Sequence, residues 1–329
     1  ATFNDALTYV DSHPNCTIQL LKKITAKNTR DLDLNTAFTL DLNGFTMSYA
    51  LRVLSNLTIV DNSTDHNGLV LWIDLCNGGS LTVTSGNVET LDVYGGSATL
   101  SGDQTNVVDI TAYGGSVVID GGAYHDKVQL KTTEYEDEAG EITYTGGKIT
   151  VTGGEFNGAV NLYSIGGLTI SGATFNSDVV AERGEDGYYK DTKTLVGVLA
   201  DNCAFYDTAT GEIRSADVTE LSNVEVKPHT HAFAPATGKC ACGFSAAASV
   251  TVTTSTTMDT TYFDTFDDAL TMAQTNGGST LTLYTAVPSG NILNITGTFT
   301  LDQNGQDIGR PLFLRPSANL TFTGNENGF

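Results

Sequence analysis

The chain has little positive charge. Lys and Arg number 16 against 38 Asp and Glu, so the 329 residues carry a formal net charge of -22. Phosphate groups require a basic face, so this balance argues against nucleic acids and anionic membrane surfaces as partners. Hydrophobic residues make up 40% of the chain, which is enough for a large core and argues against an acidic disordered tail.

Further absences narrow the class of protein. No apolar run approaches the roughly 18 residues that cross a bilayer, so we expect no membrane insertion. Five cysteines are too few, and odd in number, for a small disulfide-stapled secreted domain. The chain has no G-x-S-x-G elbow, no H-E-x-x-H and no phosphate-binding loop,. We therefore expect a protein that is not an enzyme and requires no cofactor.

Glycine is abundant, with 35 residues, and it marks an internal repeat. A short segment with apolar residues at every second position follows each double glycine, which is typical of a strand with one buried face. A second short strand completes each unit. Units of about 19 residues predict an all-β, right-handed parallel β-helix, because one coil cannot bury its own apolar face and coils must stack. A β-sandwich is the alternative. The double glycines stand at 78–79, 95–96, 114–115, 146–147 and 166–167.

A longer repeat relates the two ends of the chain. Residues 2–7, 38–44 and 56–59 resemble residues 265–270, 299–305 and 319–322, at offsets of 263, 261 and 263. The order and near-constant offset predict tandem modules. We assign 1–227 to one β-helix module and 250–329 to the truncated start of a second, so we expect a monomeric piece of a tandem array. Each module opens with a short amphipathic helix that caps the end of the β-helix.

The predicted ligand-binding residues are mainly tyrosines. Tyr94 and Tyr113 each precede a double glycine, so stacked coils place them one above the other, about 4.8 Å apart. An acidic insertion over 132–141 interrupts the repeat, and insertions in solenoids often form the binding face. The alternatives are an aromatic stack that only stabilises the coils and a solvated acidic loop. The full predicted set is Tyr94, Tyr113, Tyr163, Tyr135, Glu136 and Asp137.

The segment 228–249 joins the two modules and contains His229, His231, Cys240 and Cys242. Two imidazoles and two thiolates can hold a structural zinc tetrahedrally. The alternatives are a reduced pair, a strained local disulfide, or pairing with Cys203. The residues that follow, 246–261, are predicted to form an extended linker or an edge strand.

No carboxylate constellation for catalysis emerges from the sequence. Asp92 and Asp109 are on neighbouring second strands, but at positions that do not match within their coils. Asp61, Asp65 and His66 form a loop cluster that resembles no known arrangement.

The motifs at 266–270, 297–302 and 204–207, followed by His229-Thr230-His231 and Cys240-Ala241-Cys242-Gly243, resemble the repetitive surface proteins of gut-dwelling Gram-positive bacteria. The resemblance implies secretion, a place on the cell wall, tandem β-helical modules, and capture of host molecules such as immunoglobulin or mucin glycans. The C-x-C spacing departs from the C-x2-C expected there.

The function that follows is a bacterial cell-surface binding module, adhesin-like, that captures a host secreted glycoprotein or glycan. Immunoglobulin is the first candidate, and the lateral face of the solenoid would make the contact. A β-helical polysaccharide lyase or hydrolase and a passive structural stalk are the alternatives.

Overall fold

The computed structural model describes residues 2–25, 32–136, 142–164, 166–181 and 194–324. Within these ranges, the side chains of all residues except 134–136, 142–145 and 164 are described. The chain divides into two compact units, Ala1–Thr230 and His231–Phe329. In the described ranges, the helices are too short and too polar to cross a bilayer.

The first unit is the predicted parallel β-helix. Its strands pair in parallel between successive coils, which excludes the β-sandwich. Its elements in chain order are α1 (Phe3–Ser12), β1 (Thr17–Gln19), β2 (Leu32–Leu34), β3 (Phe38–Asp41), β4 (Thr46–Val53), β5 (Asn56–Val60), β6 (Leu69–Leu75), β7 (Ser80–Val93), β8 (Ser97–Ala112), β9 (Ser116–Ile119), β10 (Ala123–Tyr124), β11 (Val128–Thr132), β12 (Glu134–Glu136), β13 (Ile142–Thr145), β14 (Lys148–Val151), β15 (Glu155–Phe156), β16 (Val160–Ser164), β17 (Leu168–Ile170), β18 (Ala173–Ala181), a 3₁₀ turn (Leu195–Val198), β19 (Cys203–Asp207), β20 (Ile213–Arg214) and β21 (Glu220–Pro228).

Alternating apolar residues build the core as columns of equivalent side chains. Every second residue of a strand points inward, and the parallel register places it on its counterpart in the next coil. Each such side chain is buried, which stabilises the fold by about 1.5 to 3 kcal/mol. One such column consists of Ile18, Leu40, Ile59, Val83, Leu100, Ile119, Val151 and Ile170.

The double glycines are required by the distance between coils. Gly96 has a φ of +76°, a conformation that side chains disfavour, and a Cβ at this position would overlap the carbonyl oxygen of Gly79. Gly115 has a φ of +68°, and its Cβ would lie 2.6 Å from the carbonyl oxygen of Gly96. Glycine therefore serves both the turn and the close approach of successive backbones.

The later coils contain a column of buried aromatic rings. Tyr124 stacks on Phe156 with ring centroids 4.4 Å apart, and Phe156 stacks on Phe175 at 5.1 Å. The parallel pairing of β10, β15 and β18 places these three rings in register. Phe205 continues the column at 6.4 Å from Phe175, with its ring tilted by 56°.

Two parts of the first unit leave the parallel pattern. β21 pairs antiparallel with both β18 and β19, so the last strands close the described coils with reversed direction. β12, inside the predicted acidic insertion, pairs antiparallel with β13, which lies directly after the insertion, and Tyr135 is opposite Tyr144. The repeat spacing predicts neither feature.

The second unit repeats the opening of the first. Thr17 pairs with Thr39 in the first unit, and Thr280 pairs with Thr300 in the second. Asn43 and Asn304 follow these strands with φ of 46° and 48°. These two strand pairs are related by offsets of 263 and 261, the offsets of the repeat in the sequence. The elements are β22 (Ala248–Thr253), β23 (Met258–Phe263), α2 (Phe266–Thr275), β24 (Ser279–Leu283), β25 (Leu293–Ile295), β26 (Thr298–Asp302), β27 (Leu312–Leu314) and β28 (Asn319–Thr323).

The segment 246–261 contains one interior strand and part of an edge strand: residues 258–261 belong to β23, which lies at the edge of its sheet in the described residues. β22 pairs antiparallel with β23 on one side and with β24 on the other, which makes it an interior strand. The edge-strand alternative is therefore confirmed for β23 and wrong for β22, because Ala, Ser and Thr are as compatible with an interior strand as with an edge. Ala248 and Val250 face the core, where the buried side of α2 packs.

Candidate functional site

The predicted tyrosine stack lies on the outside of the first unit. Tyr94 and Tyr113 occupy the same turn on successive coils, and each backbone N–H donates to a carbonyl of the preceding coil, Leu75 and Val93 respectively, at 2.9 Å. The rings are 5.0 Å apart and 11° from parallel, so the predicted stacking is confirmed. Both side chains are half-buried, which leaves part of each ring open to a partner.

The other predicted ligand-binding residues do not extend this stack. Tyr163 of β16 pairs with Lys131 of β11, whose Nζ lies 6.0 Å from the ring centroid, and the coil position after Tyr113 belongs to Thr133. The backbone of Tyr135 and Glu136 belongs to β12, but their side chains are outside the described part. Asp137 lies outside the described residues.

Carboxylates and a tryptophan lie on β6, β7 and β8, and the last two of these strands end directly before Tyr94 and Tyr113. Asp74 of β6 is directly opposite Asp92 of β7. Trp72, whose side chain is 45% exposed, donates from Nε1 to Asp74 Oδ1 at 2.9 Å. Asp109 Oδ2 accepts from Lys131 Nζ at 2.9 Å. We call Trp72, Tyr94, Tyr113, Lys131, Tyr163 and the aspartates 74, 92 and 109 the tyrosine face.

Asp92 is the most perturbed acid of this face. Its side chain is buried, and burial raises its pKa to about 6, with Asp74 and then Asp109 adding to the rise and Lys131 opposing it. A carboxyl group with such a pKa holds its proton in mildly acidic solution, which is the property of a general acid.

The sequence predicted the offset between Asp92 and Asp109 but missed the match with Asp74. Asp92 pairs with Thr111, and Asp109 pairs with Thr90, so these two acids are indeed diagonal neighbours. The turn after β6 contains one residue more before its double glycine than the turn after β7. That extra residue hides the equivalence of Asp74 and Asp92 when positions are counted from the glycines.

The loop cluster at Asp61 is structural. Asp61 accepts hydrogen bonds from the backbone N–H groups of Gly44, Ser63 and Gly68 at 2.8, 3.1 and 2.5 Å. Burial raises its pKa, but these bonds to the charged form outweigh burial, so the pKa lies below its ordinary value. His66 Nδ1 lies 2.7 Å from the Asp61 carbonyl oxygen.

The predicted metal ligands come together. One ligand atom from each of His229, His231, Cys240 and Cys242 lies within 4.8 Å of the others. A tetrahedral zinc with bonds of about 2.0 to 2.3 Å holds its ligand atoms about 3.3 to 3.8 Å apart. The cluster can therefore hold a metal ion after small side-chain movements.

Tight backbone turns position the two cysteines of the cluster. Cys240 N–H donates to the Phe244 carbonyl at 2.8 Å, and Gly243 N–H donates to the Cys240 carbonyl at 3.0 Å. Gly243 has a φ of +103°, which favours glycine and lets the chain reverse directly after Cys242,.

Side chains around the cluster orient its ligands. Cys240 and Cys242 are buried, and His231 Nδ1 is 3.2 Å from Cys242 Sγ. Tyr206 Oη lies 3.2 Å from His229 Nδ1, an outer contact of the kind that orients metal-binding imidazoles,. Burial, and then the neighbouring Cys240, raise the pKa of the Cys242 thiol to about 11.

None of the five cysteines, all of which are among the described residues, forms a disulfide. Neither the local disulfide between Cys240 and Cys242 nor a pairing with Cys203 is formed. Cys203 Sγ instead lies 3.5 Å from the Ser171 carbonyl oxygen. The reduced pair and the metal-bound pair are the two alternatives that fit this geometry.

Comparison with known proteins gives no match: no protein-family model, no curated protein and no solved structure matches this chain.

Proposed function

We propose that this chain is a binding module of a bacterial cell surface and that it captures a host secreted glycoprotein, with immunoglobulin as the first candidate. The observation that carries the proposal is the stacked, half-buried pair Tyr94 and Tyr113 on the outside of a rigid solenoid. Tyrosine and tryptophan anchor protein interfaces because a large ring contributes contact area at little cost in conformational entropy. Trp72, on β6 of the preceding coil, adds a third ring that is 45% exposed.

The secreted, wall-attached location is part of the same proposal. It is supported by the resemblance in motifs and by the repeated module, because repetition raises avidity without new contacts. The rigid coils also suit the role, since a partner would find the rings already in place.

Binding is tested by immobilising the chain and measuring retention of secretory immunoglobulin and of mucin. We expect the double variant Tyr94→Ala/Tyr113→Ala to weaken capture about 10- to 100-fold, the range of an interface anchor. Tyr9→Ala is the matched control, because Tyr9 is an exposed tyrosine of α1 in the same unit. Failure to retain either glycoprotein would favour a passive stalk, and capture unaffected by the double variant would place the contact on another face.

A polysaccharide-degrading enzyme is the second candidate, supported by Asp74 and Asp92. Positions in register on neighbouring strands are about 4.8 Å apart, close to the roughly 5 Å between carboxyl groups of retaining glycosidases. One acid of the pair has a raised pKa, as the general acid of such a pair requires,.

This candidate is tested by incubating the chain with pectin and mucin and measuring new reducing or unsaturated ends. Activity should depend on an ionisation near pH 6 and disappear in Asp92→Asn. Asp120→Asn changes an exposed aspartate of another coil and is the control. Absence of product with the wild-type chain would remove this candidate.

For the metal cluster we propose a structural zinc. Two imidazoles and two thiolates suit zinc, and all four positions would be filled by protein, which leaves none open for catalysis. Binding would displace the proton that burial keeps on Cys242. We expect about one zinc per chain by elemental analysis, and none in Cys240→Ser/Cys242→Ser. Cys76→Ser should keep the metal, because Cys76 lies outside the cluster. The proposal would be contradicted if the wild-type chain, purified in the presence of zinc, contained none by elemental analysis.

A further inference from the structure

The last strands of the second unit present inward-facing side chains that the described residues leave partly exposed. β27 pairs only with β25, and β28 pairs only with β26, so each has an open edge within the described part of the chain. Leu314 of β27 is 47% exposed, although it lies opposite the buried Ile295 and shares its inner face,. We call the four inward-facing residues of β27 and β28, which are Leu312, Leu314, Leu320 and Phe322, the open end.

The first unit shows how such a surface is covered. At the repeat offsets, 261 for β27 and 263 for β28, the open end corresponds to four residues of β4 and β5. There, β6 and β7 of the next coil pair in parallel with β4 and β5. The counterparts are between 0% and 2% exposed: Leu51, Val53, Leu57 and Ile59. The open end therefore has the composition of a core surface and lacks, in the described residues, the layer that covers it in the first unit.

The outer edge of β28 sets the requirements for a partner. It offers backbone N–H and C=O groups along the edge and apolar side chains on the inner side, which together are a template for a further strand. A partner must therefore be an extended segment with apolar residues at alternate positions, since only such a segment continues both the hydrogen-bond ladder and the core.

β28 of a second copy meets these requirements. Leu320 and Phe322 lie on either side of Thr321, so two β28 strands paired antiparallel about Thr321 place Leu320 of each copy opposite Phe322 of the other,. All four side chains then lie on the inner side, because residues directly opposite each other point to the same face. Antiparallel pairing already closes the described coils of the first unit, where β21 pairs with β18.

The charge of this region permits two copies to meet. Residues 291–324 contain two acids, Asp302 and Asp307, and two bases, Arg310 and Arg315, so their formal net charge is zero. The whole chain carries -22, so two copies repel each other on average. The open end is thus a place where close approach is not opposed by net charge.

We propose that two copies of this chain associate through their open ends, with the two β28 strands paired antiparallel about Thr321. The interface uses the same patch on both copies, so it closes at two. This dimer replaces the monomer expected from the sequence. It would carry two tyrosine faces, which raises avidity for a partner with repeated sites, but the association itself uses no residue of the tyrosine face or of the metal cluster.

Sedimentation equilibrium on the full chain measures the association. We expect the average mass to rise from 34.7 kDa toward twice that value as the protein concentration increases about a hundredfold,. Leu320→Asp should weaken the dimer at least about tenfold, because it places an unpaired charge in the apolar interface. Met258→Asp is the matched control, since Met258 is 71% exposed on β23, at the other edge of the same sheet. A mass of 34.7 kDa at every concentration would overturn the proposal, as would masses that grow beyond two copies.

A cysteine at the two-fold position locates the contact and leaves the fold intact. Thr321 is exposed, and pairing about it brings its Cα to about 4.5 to 5.5 Å from its counterpart in the other copy, within the reach of a disulfide,. We expect Thr321→Cys to form a covalent dimer on air oxidation. Thr260→Cys should form none, because Thr260 is exposed on β23, and this control has the same number of cysteines.

The cross-linking result decides the proposal even where Leu320→Asp fails to fold. Equal cross-linking of Thr321→Cys and Thr260→Cys, or none in either, would refute the pairing. The double variant Tyr94→Ala/Tyr113→Ala should keep the dimer, so this proposal and the proposed binding function fail separately.

Discussion

Removing the middle ring of the aromatic column should destabilise the first unit strongly. Phe156 is fully buried, and its ring is 10° from parallel with Tyr124 and 13° from parallel with Phe175. Phe156→Ala leaves a cavity between coils whose backbones are held by parallel pairing and cannot collapse. Such substitutions cost about 3 to 5 kcal/mol. Two near-parallel ring pairs of about 0.5 to 1.5 kcal/mol each place the expected loss in the upper half of that range.

Phe156→Leu separates the cost of the cavity from the loss of the two ring pairs. Leucine keeps most of the volume but loses both ring pairs, so we expect the free energy of unfolding to fall by about 1 to 3 kcal/mol. The chain has one tryptophan, and Trp72 lies in β6, so its fluorescence in a urea titration reports the first unit. Tyr9→Ala is the control and should cost under about 0.5 kcal/mol, because the side chain is 58% exposed,. A loss below about 1 kcal/mol for Phe156→Ala, or equal losses for the alanine and leucine variants, would refute the reasoning.

The same titration checks three further predictions. Gly96→Ala should cost about 3 kcal/mol or more, whereas Gly78→Ala, at a φ of +84° with open space around it, should cost only the backbone strain of about 1 to 2 kcal/mol,. Asp92→Asn should stabilise the unit by about 1 to 2 kcal/mol at pH 7 and not at pH 3.5, because a raised folded pKa costs stability as pH rises from about 4 through 6,. Asp61→Asn should change the free energy of unfolding in the opposite direction at pH 7. The lowered pKa of Asp61 contributes stability that is present above about pH 4 and lost as pH falls through the folded pKa, so the variant should be weaker at pH 7 and equal to wild type at strongly acidic pH,.

The sequence predicts those features that depend on position within one coil. Alternation after each double glycine identifies the inward residues, as with Leu81 and Val83, and both are buried. The stacking of Tyr94 on Tyr113 follows for the same reason, since both are counted from a glycine pair one residue away. The metal cluster is predicted because its ligands lie within 229–242, where chain distance limits spatial distance.

The closing strands of the first unit could not be predicted in this way. β21 runs antiparallel to β18, and its alternation of buried Leu221, Val224 and Val226 is interrupted at Asn223, which has a φ of +52°. Alternation shows that a segment is a strand with a buried face, but it does not show the direction in which the strand runs. The direction of a strand depends on the connection that leads into it. The connection that leads into β21 follows no glycine pair.

The remaining features depend on register between coils, which the repeat period does not determine. Asp74 and Asp92 are paired across 18 residues, Asn87 and Asn106 across 19, and Asp109 and Lys131 across 22. A change of one residue in a turn exchanges the inward and outward faces of the strand that follows. A count based on an average period therefore pairs the wrong side chains, even when every strand is located correctly. Sites on a solenoid are built from side chains of neighbouring coils, so the Asp74–Asp92 pair could be recognised only once each turn had its actual length.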